Sequence, residues 1–330
     1  MVQTLYIEEN IRQHSRTLEV CDRYPKARKI ICERYGEVFN PKAQNFRLQK
    51  KQPALILAEK FKNFALPAPP GYNIGAKNNY YFSHMLNCLY DCRYCFLQGM
   101  YQSANYVFFV NFEDYQQQIK QICQSSPHEA VHFFSGYDCD SLALEPMTGF
   151  AENFLPFFAN IPNAWLELRT KSTQIRSLLK TTPDPQTIVA FSLSPDETAK
   201  KVEDKAPSLE RRLDALGKLQ DHGWSIGLRF DPLIYQTGYQ QQYDRLFEQV
   251  FSRVDLDLLH SVSLGVFRLP EKYFKKMHNL YPEEKLFASP LETKQKVTSY
   301  KADLEQQMLQ HCTQQLLSYI PESKFFPCTL

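Results

Sequence analysis

The chain has 330 residues, of which 43% are hydrophobic, and a net charge of +2, enough apolar material for one large or two ordinary globular domains. No stretch approaches the roughly 18 consecutive apolar residues of a membrane span, and glutamates stand where a signal peptide would carry its apolar region, so we expect a cytoplasmic protein with no membrane association. Nine scattered cysteines fit metal-binding thiolates in a reducing compartment better than a disulfide framework.

The first 75 residues are rich in charge, and we predict a mainly helical extension that ends at the Pro/Gly stretch 66–71. The predicted domains are therefore 1–75, basic and mainly helical, and 76–330. Residues 26–62 carry ten basic side chains against three acidic ones. Two interpretations stay open for this segment: a surface that binds nucleic-acid phosphates, or a solvated helical surface.

Beyond residue 76, short apolar runs alternate with amphipathic segments. Alternation of this kind predicts parallel strands joined by right-handed helical crossovers. The expected fold class is α/β, a partial (β/α)6 TIM-like barrel followed by a C-terminal helical segment. The six strand candidates lie within YYFSHML, AVHFFSG, AWLELRT, TIVAFSLS, WSIGLRFDPLI and LLHSVSLGVFRL.

One helix in this region is predicted with particular clarity over residues 208–221. Ser208 is suited to cap its first turn, leucines recur from Leu209 to Leu219 at helical spacing, and Gly223 follows its end.

Three cysteines, Cys88, Cys92 and Cys95, follow the first strand candidate within eight residues. Three thiolates can bind three irons of a [4Fe-4S] cubane and leave the fourth iron open to an external ligand. The amino and carboxylate groups of S-adenosylmethionine suit that open position. Zinc is the alternative, but a structural zinc site usually has four protein ligands, and a fourth would have to come from His84 or a distant cysteine.

The spacing of these cysteines, with an aromatic residue before the last, resembles the signature of radical SAM enzymes. The resemblance implies that Tyr94 lies near the adenine of the cofactor. It also implies that the turn Ser135-Gly136-Tyr137, after the second strand candidate, receives the cofactor's amino group. The partial barrel fits the same superfamily.

Four further motifs resemble spore photoproduct lyase and its relatives. They are CRYCFLQ from Cys92, FSGYDCDSLALEPMTG from Phe134, LRTKS from Leu168 and VAFSLSP from Val189. The resemblance implies that Lys171 and Ser192 contact the cofactor. It implies a radical SAM lyase that reverses a crosslink between adjacent thymines, with damaged DNA and an electron donor such as flavodoxin or ferredoxin as partners.

The expected catalytic residues are Cys139, Tyr137 and Tyr94. A thiol is a suitable hydrogen donor because its S–H bond is weak, yet aligning the EPMTG motif places the family's donor cysteine on Tyr137, two residues before Cys139. Three alternatives stay open: the turn is shifted and Cys139 donates, Tyr137 relays, or the reaction differs from that of the family. The family often has tyrosine after the last cluster cysteine, and Phe96 stands there, so only Tyr94 remains of that pair.

Two other regions bear on the substrate. Arg229 and Asp231 end a strand candidate, where barrel active sites collect polar groups, and Arg229 is predicted to bind the cofactor. The family has a basic hairpin that opens DNA, whereas residues 294–305 are expected to run directly into a helix. Base flipping costs a few kcal/mol, so a missing hairpin weakens the expectation of duplex repair.

Three functional hypotheses follow. The first is a lyase that repairs a thymine-dimer-type lesion, and the second is a radical SAM enzyme with a different substrate. The third is a nucleic-acid-binding protein with a structural metal site.

Overall fold

The computed structural model describes residues 2–39, 42 and 44–328. The strands are β1 (Thr4–Glu8), β2 (Arg28–Cys32), β3 (Leu55–Ala58), β4 (Leu66–Pro67), β5 (Asn78–Phe82), β6 (Met85–Leu86), β7 (Asp91–Cys92), β8 (Tyr106–Phe109), β9 (Val131–Ser135), β10 (Ala164–Thr170), β11 (Thr187–Ser192), β12 (Glu203–Asp204), β13 (Ser225–Leu233), β14 (Leu259–Val266), β15 (Arg268–Pro270), β16 (Leu291–Lys294), β17 (Val297–Tyr300) and β18 (Phe325–Pro327).

The α-helices are α1 (Ser15–Arg23), α2 (Tyr35–Val38), α3 (Phe46–Lys51), α4 (Leu97–Met100), α5 (Phe112–Gln124), α6 (Glu145–Thr148), α7 (Phe150–Phe158), α8 (Arg176–Leu179), α9 (Asp196–Val202), α10 (Leu209–His222), α11 (Tyr239–Phe251), α12 (Glu271–Leu280) and α13 (Ala302–Leu317). None of the helices in the described part of the chain is long and apolar enough to cross a membrane.

The largest sheet is the predicted partial barrel. Its strand order is β18-β14-β13-β11-β10-β9-β5-β4, and each of the six predicted segments supplies one of its parallel strands, from β5 to β14. Strand β18 adds in parallel to β14, and β4 adds antiparallel to β5. The α/β fold and its six-strand barrel are confirmed.

Helix α10 forms as predicted. The Ser208 hydroxyl accepts a hydrogen bond from the N–H of Arg211, and Gly223 ends the helix with a φ of 98°. Glycine adopts this left-handed conformation without the steric cost that a side chain would add.

The mainly helical character predicted for residues 1–75 is wrong. Strands β1, β2 and β3 form a parallel sheet, which continues through β8 and β6 in the order β2-β1-β3-β8-β6. Its central strand β3 is fully buried. Since β6 and β8 come from beyond residue 76, the sheet combines both predicted segments. The division into two domains stays a prediction.

A β-hairpin occupies residues 291–300, where the sequence led us to expect none. Strands β16 and β17 pair antiparallel, and β17 also pairs with β15. The two turn residues, Gln295 and Lys296, both have positive φ, as a two-residue hairpin turn of the right twist requires. The expectation of a direct run into a helix is therefore wrong.

An ionic network fills the barrel interior beneath the carboxyl ends of the strands. Glu167 on β10 accepts hydrogen bonds from Arg229 on β13 at 2.7 Å and from Arg169 at 3.0 Å. Burial opposes ionisation of Glu167, but the two guanidinium groups outweigh it and lower its pKa to about 2. The network ties two strands together and gives buried charges their partners.

We expect Glu167→Gln to lower the free energy of unfolding by about 3–5 kcal/mol, because it leaves the fully buried Arg229 without its counter-charge. The matched control is Glu210→Gln, which removes an exposed partner of Arg253 and should cost under about 1 kcal/mol. Urea unfolding near neutral pH measures both. Because the pKa of Glu167 is lowered on folding, its contribution is present above pH 4.5 and lost as the pH falls towards 2. Equal losses for the two variants would contradict this role.

Candidate active site

A cavity of about 410 Å³ opens at the carboxyl ends of the barrel strands. This is where barrel folds of this type place their active sites, because loops from several strands meet there. The cavity brings together nine of the eleven predicted site residues: Cys88, Cys92, Cys95, Tyr94, Gly136, Tyr137, Cys139, Lys171 and Ser192.

The three predicted metal ligands all line this cavity. The N–H of Tyr90 donates to Cys88 Sγ at 3.4 Å, and the N–H of Leu97 donates to Cys95. Hydrogen bonds to cysteine sulfurs are among the features that tune the potential of iron–sulfur clusters. Among the described residues, no three His, Cys, Asp or Glu side chains converge on one point as a single-ion site would require. A cubane differs in this respect, because its three cysteines bind three different irons.

Burial governs the ionisation of these thiols. It raises the pKa of Cys92 to about 12 and also raises the pKa values of Cys88 and Cys95. A metal–thiolate bond would displace these protons, so metal binding and deprotonation are coupled.

Tyr94 is held rigidly between the cluster cysteines. Its hydroxyl donates to the buried carboxylate of Glu203, which also pairs with Arg212 and accepts from Ser194 at 3.0 Å. Lys171 lies over the Tyr94 ring, with its ammonium nitrogen 5.4 Å from the ring centroid. The fixed ring and the adjacent cation give the cavity one aromatic face with a positive charge beside it.

The turn after β9 brings the chain close to its own backbone at Gly136. This glycine has a φ of 79°, and a Cβ there would lie 2.6 Å from Ser141 Oγ. Only glycine fits that position. Asp140 holds the turn to β10, since its carboxylate accepts from Thr170 Oγ1 and from the N–H of Lys171, both at 2.7 Å.

Cys139 lies on this turn, 9% exposed, and lines the cavity. Burial, followed by the carboxylates of Asp138 and Asp140, raises its pKa well above the ordinary value. The side chain is therefore kept as a thiol, the form that can donate a hydrogen atom.

Tyr137 lines the same cavity as part of an aromatic stack. Its ring centroid is 4.3 Å from that of Tyr81 and 5.4 Å from that of Phe96. Phe96 has no hydroxyl and so cannot relay a hydrogen atom. Tyr137 and Tyr94, the two tyrosines predicted to be catalytic, both line the cavity.

Two predicted cofactor contacts do not reach the cavity. Ser135 bonds to Ser141 Oγ and to the carbonyl of Glu167, each at 2.8 Å. Arg229 is fully buried against Glu167 and Ser261. Neither side chain is among the residues that line the cavity, and both build the barrel interior. The contact expected at Ser135 would be made by the backbone of its turn, so cofactor contacts by Ser135 and Arg229 stay predictions.

The far end of the cavity contains polar residues that sequence reasoning largely missed. Arg268 pairs with Asp231 at 2.8 Å, Arg169 lies over the ring of Tyr72, and Cys328 follows the edge strand β18. Asp231 is the one member that its place after a strand candidate had indicated. Arg169 lies within the LRTKS motif, whereas Arg268 and Cys328 come from more distant segments of the chain.

Comparison with known proteins identifies the family. The sequence profile described as spore photoproduct lyase matches residues 76–327. The chain belongs to the spore photoproduct lyase family. The resemblance inferred from the motifs is thereby confirmed.

Individual relatives of the spore photoproduct lyase family are distant in sequence but close in fold. Spore photoproduct lyase of Bacillus subtilis (strain 168) is 24% identical over 205 residues, which is 60% of this chain and 59% of that protein. The protein of Geobacillus sp. (strain Y412MC61) is 25% identical over 73% of this chain and 72% of its own length. A solved double mutant of spore photoproduct lyase with bound AdoMet and dinucleoside spore photoproduct has a TM-score of 0.87 at 17% identity, covering 100% of this chain and 99% of that one.

Proposed function

We propose that this chain is a radical SAM lyase that reverses a thymine-dimer-type lesion in DNA. One observation carries the proposal: the three thiols of the cysteine triplet and the protonated thiol of Cys139 line a single cavity at the carboxyl ends of the barrel strands. Membership of the spore photoproduct lyase family supports the same reaction.

The residues present fit the cofactors that this activity needs. Cys88, Cys92 and Cys95 would hold a [4Fe-4S] cluster, and the sulfurs of Cys88 and Cys95 already receive backbone hydrogen bonds. When bound, the cluster would pass one electron to the sulfonium of S-adenosylmethionine and so generate a 5′-deoxyadenosyl radical. The aromatic face of Tyr94, the turn at Gly136, and the side chains of Lys171 and Ser192 would orient that cofactor.

The protein's further part is to return a hydrogen atom. Cys139 has the position and the protonation state for this step. With both cofactors bound, the chemistry supplied would be abstraction of one hydrogen from the lesion and cleavage of its crosslink. The Cys139 thiol would then return one hydrogen to the product radical and be left as a thiyl radical. Tyr94, whose hydroxyl is bonded to Glu203, and Tyr137 are the two predicted tyrosines that could return a hydrogen to the Cys139 thiyl radical. The tyrosyl radical left behind would take up one electron from the external reductant and one proton.

The hairpin of β16 and β17 borders the cavity through Val297 and presents exposed lysines, Lys294 and Lys296, next to it. Cationic side chains in this position suit the phosphates of a DNA strand whose damaged bases enter the cavity. An electron donor such as flavodoxin or ferredoxin completes the proposed set of partners.

The test is anaerobic reconstitution with iron and sulfide, followed by dithionite and S-adenosylmethionine, with and without ultraviolet-damaged DNA. We expect about four irons per chain and formation of 5′-deoxyadenosine. Repaired thymine should appear only with damaged DNA. A fully loaded protein that forms no 5′-deoxyadenosine would overturn the proposal.

Lys171 provides a prediction for cofactor binding. We expect Lys171→Met to raise the KM for S-adenosylmethionine on the order of tenfold, the loss of one charge-assisted hydrogen bond, while iron content stays unchanged. Lys180→Met removes an exposed lysine nearby in the chain and is the control. Steady-state formation of 5′-deoxyadenosine at varied cofactor concentration measures both. An unchanged KM in the Lys171 variant would exclude this contact.

A further inference from the structure

Helix α3 lies against the outer side of the segment that carries the cluster cysteines. Lys50 faces the carboxylate of Asp91 at 3.5 Å, and Asp91 immediately precedes Cys92. The short strand β7, which contains Asp91 and Cys92, pairs with β12, so Lys205 just after β12 lies beside it; the Lys205 ammonium donates to the carbonyl of Lys50. The surface at this point thus lies next to the segment that carries Cys92.

The side chains there form what we call the α3 patch, which comprises the exposed residues Arg47, Leu48, Lys51 and Lys205 and the largely buried Lys50. Leu48 is 61% exposed, unusually so for a large aliphatic residue, and basic residues flank it on the same helix. Within the described chain, Arg47 and Lys51 have no carboxylate within ion-pair distance. Asp204 is the exposed acidic residue at its border, where it faces Arg93 at 3.8 Å.

An apolar centre with a charged rim is typical of a surface for a protein partner. Electron-transfer complexes are small and transient and depend on complementary charge, which gives fast association. The cluster needs one electron for each cofactor cleavage. A carrier docked on the α3 patch would deliver it from outside, because none of the described residues that line the substrate cavity belongs to the patch.

We infer that the α3 patch is the docking surface for an acidic one-electron carrier protein of the flavodoxin or ferredoxin class. The inference rests on the proposed function, because only a redox cluster at Cys88, Cys92 and Cys95 gives a carrier a reason to dock there. Nucleic acid is the other polyanion that such a surface could attract. The position of the patch beside the cysteine segment and outside the cavity, together with exposed Leu48 at its centre, favours the carrier.

The experiment compares two reductants on the reconstituted holoenzyme. The double variant Arg47→Glu/Lys51→Glu reverses charge on the patch. Its control, Arg28→Glu/Lys29→Glu, reverses an exposed basic pair on β2, the opposite edge strand of the N-terminal sheet from β6. Formation of 5′-deoxyadenosine is followed with reduced flavodoxin at low ionic strength and, separately, with dithionite.

With flavodoxin we expect the patch variant to be at least about tenfold slower than the wild type, and the control to match the wild type. With dithionite all three proteins should react equally. Added salt should slow the flavodoxin reaction of the wild type and leave that of the patch variant nearly unchanged.

Three results would overturn the inference. They are an unaltered flavodoxin-driven rate, an equal loss with both reductants, and a loss of affinity for damaged DNA with the flavodoxin-driven rate preserved. If the wild type forms no 5′-deoxyadenosine with either reductant, the proposed function itself fails, and this outcome is distinct from all three.

Discussion

Replacing Cys139 with alanine will leave cofactor cleavage in place and remove most of the repaired product. The thiol lines the cavity but is not one of the three cluster cysteines, so 5′-deoxyadenosine should still form. Without a hydrogen donor, the product radical has no route to thymine. We expect repaired thymine to fall by at least about tenfold, the rate change for 1.36 kcal/mol in a barrier. Chromatography of both products from one reaction measures the two effects together.

The matched control for this variant is Cys328→Ala. Cys328 lines the same cavity at its far end, and its thiol donates to the carboxylate of Asp231. It should retain the wild-type yield of thymine. If Cys328→Ala loses the product and Cys139→Ala does not, the donor has been assigned to the wrong thiol.

Tyr137→Phe keeps the ring stack but removes the hydroxyl, so a loss of product confined to this variant would instead favour the Tyr137 relay.

Loss of a cluster ligand has the second large effect. We expect Cys92→Ala to abolish formation of 5′-deoxyadenosine, because a missing thiolate leaves one iron of the cubane without its protein ligand. The brown colour and the iron content after anaerobic reconstitution should fall with it. Iron analysis and the cofactor-cleavage assay measure both.

Cys312→Ala is the control for Cys92→Ala, since Cys312 is as deeply buried but lies on α13, outside the cavity. This variant should keep its iron and its cofactor cleavage. Activity that survives in Cys92→Ala, or iron loss that is equal in the two variants, would contradict the assignment of the cluster ligands.

Much of the barrel could be predicted from sequence because its signals are local. Each strand candidate is a short apolar run, and each helix carries its own periodicity. Ser208 and Gly223 even marked the two ends of α10. Parallel order and handedness follow from the alternation of strands and helices.

The N-terminal sheet was missed because its strands lack a clear pattern. Strand β2, with the sequence Arg-Lys-Ile-Ile-Cys, lies at a sheet edge, and only its Cys32 is buried. Its two charged residues therefore favoured the prediction of an exposed helix. Strand β3 is only four residues long, and its partner β8 lies about fifty residues away. The hairpin was missed for a related reason, since Gln295-Lys296 is not a pair that favours positive φ.

The site residues show the same contrast between local sequence signals and contacts made only by the fold. The cysteine triplet and Tyr94 are close in sequence, so their spacing revealed them. Glu203, which fixes Tyr94, comes from the distant short strand β12 and carried no signal in the sequence. The burial of Arg229 could not be predicted, because a strand pattern does not show how deeply a side chain lies. Glu167 balances the charge of Arg229 inside the barrel.

The most direct test of the central claim is conversion of dinucleoside spore photoproduct to thymidine by the reconstituted wild-type protein under anaerobic conditions. We predict thymidine formation that requires both S-adenosylmethionine and a reductant, and that is absent in Cys92→Ala. A cluster-loaded wild-type protein that cleaves the cofactor yet leaves this photoproduct intact would contradict it.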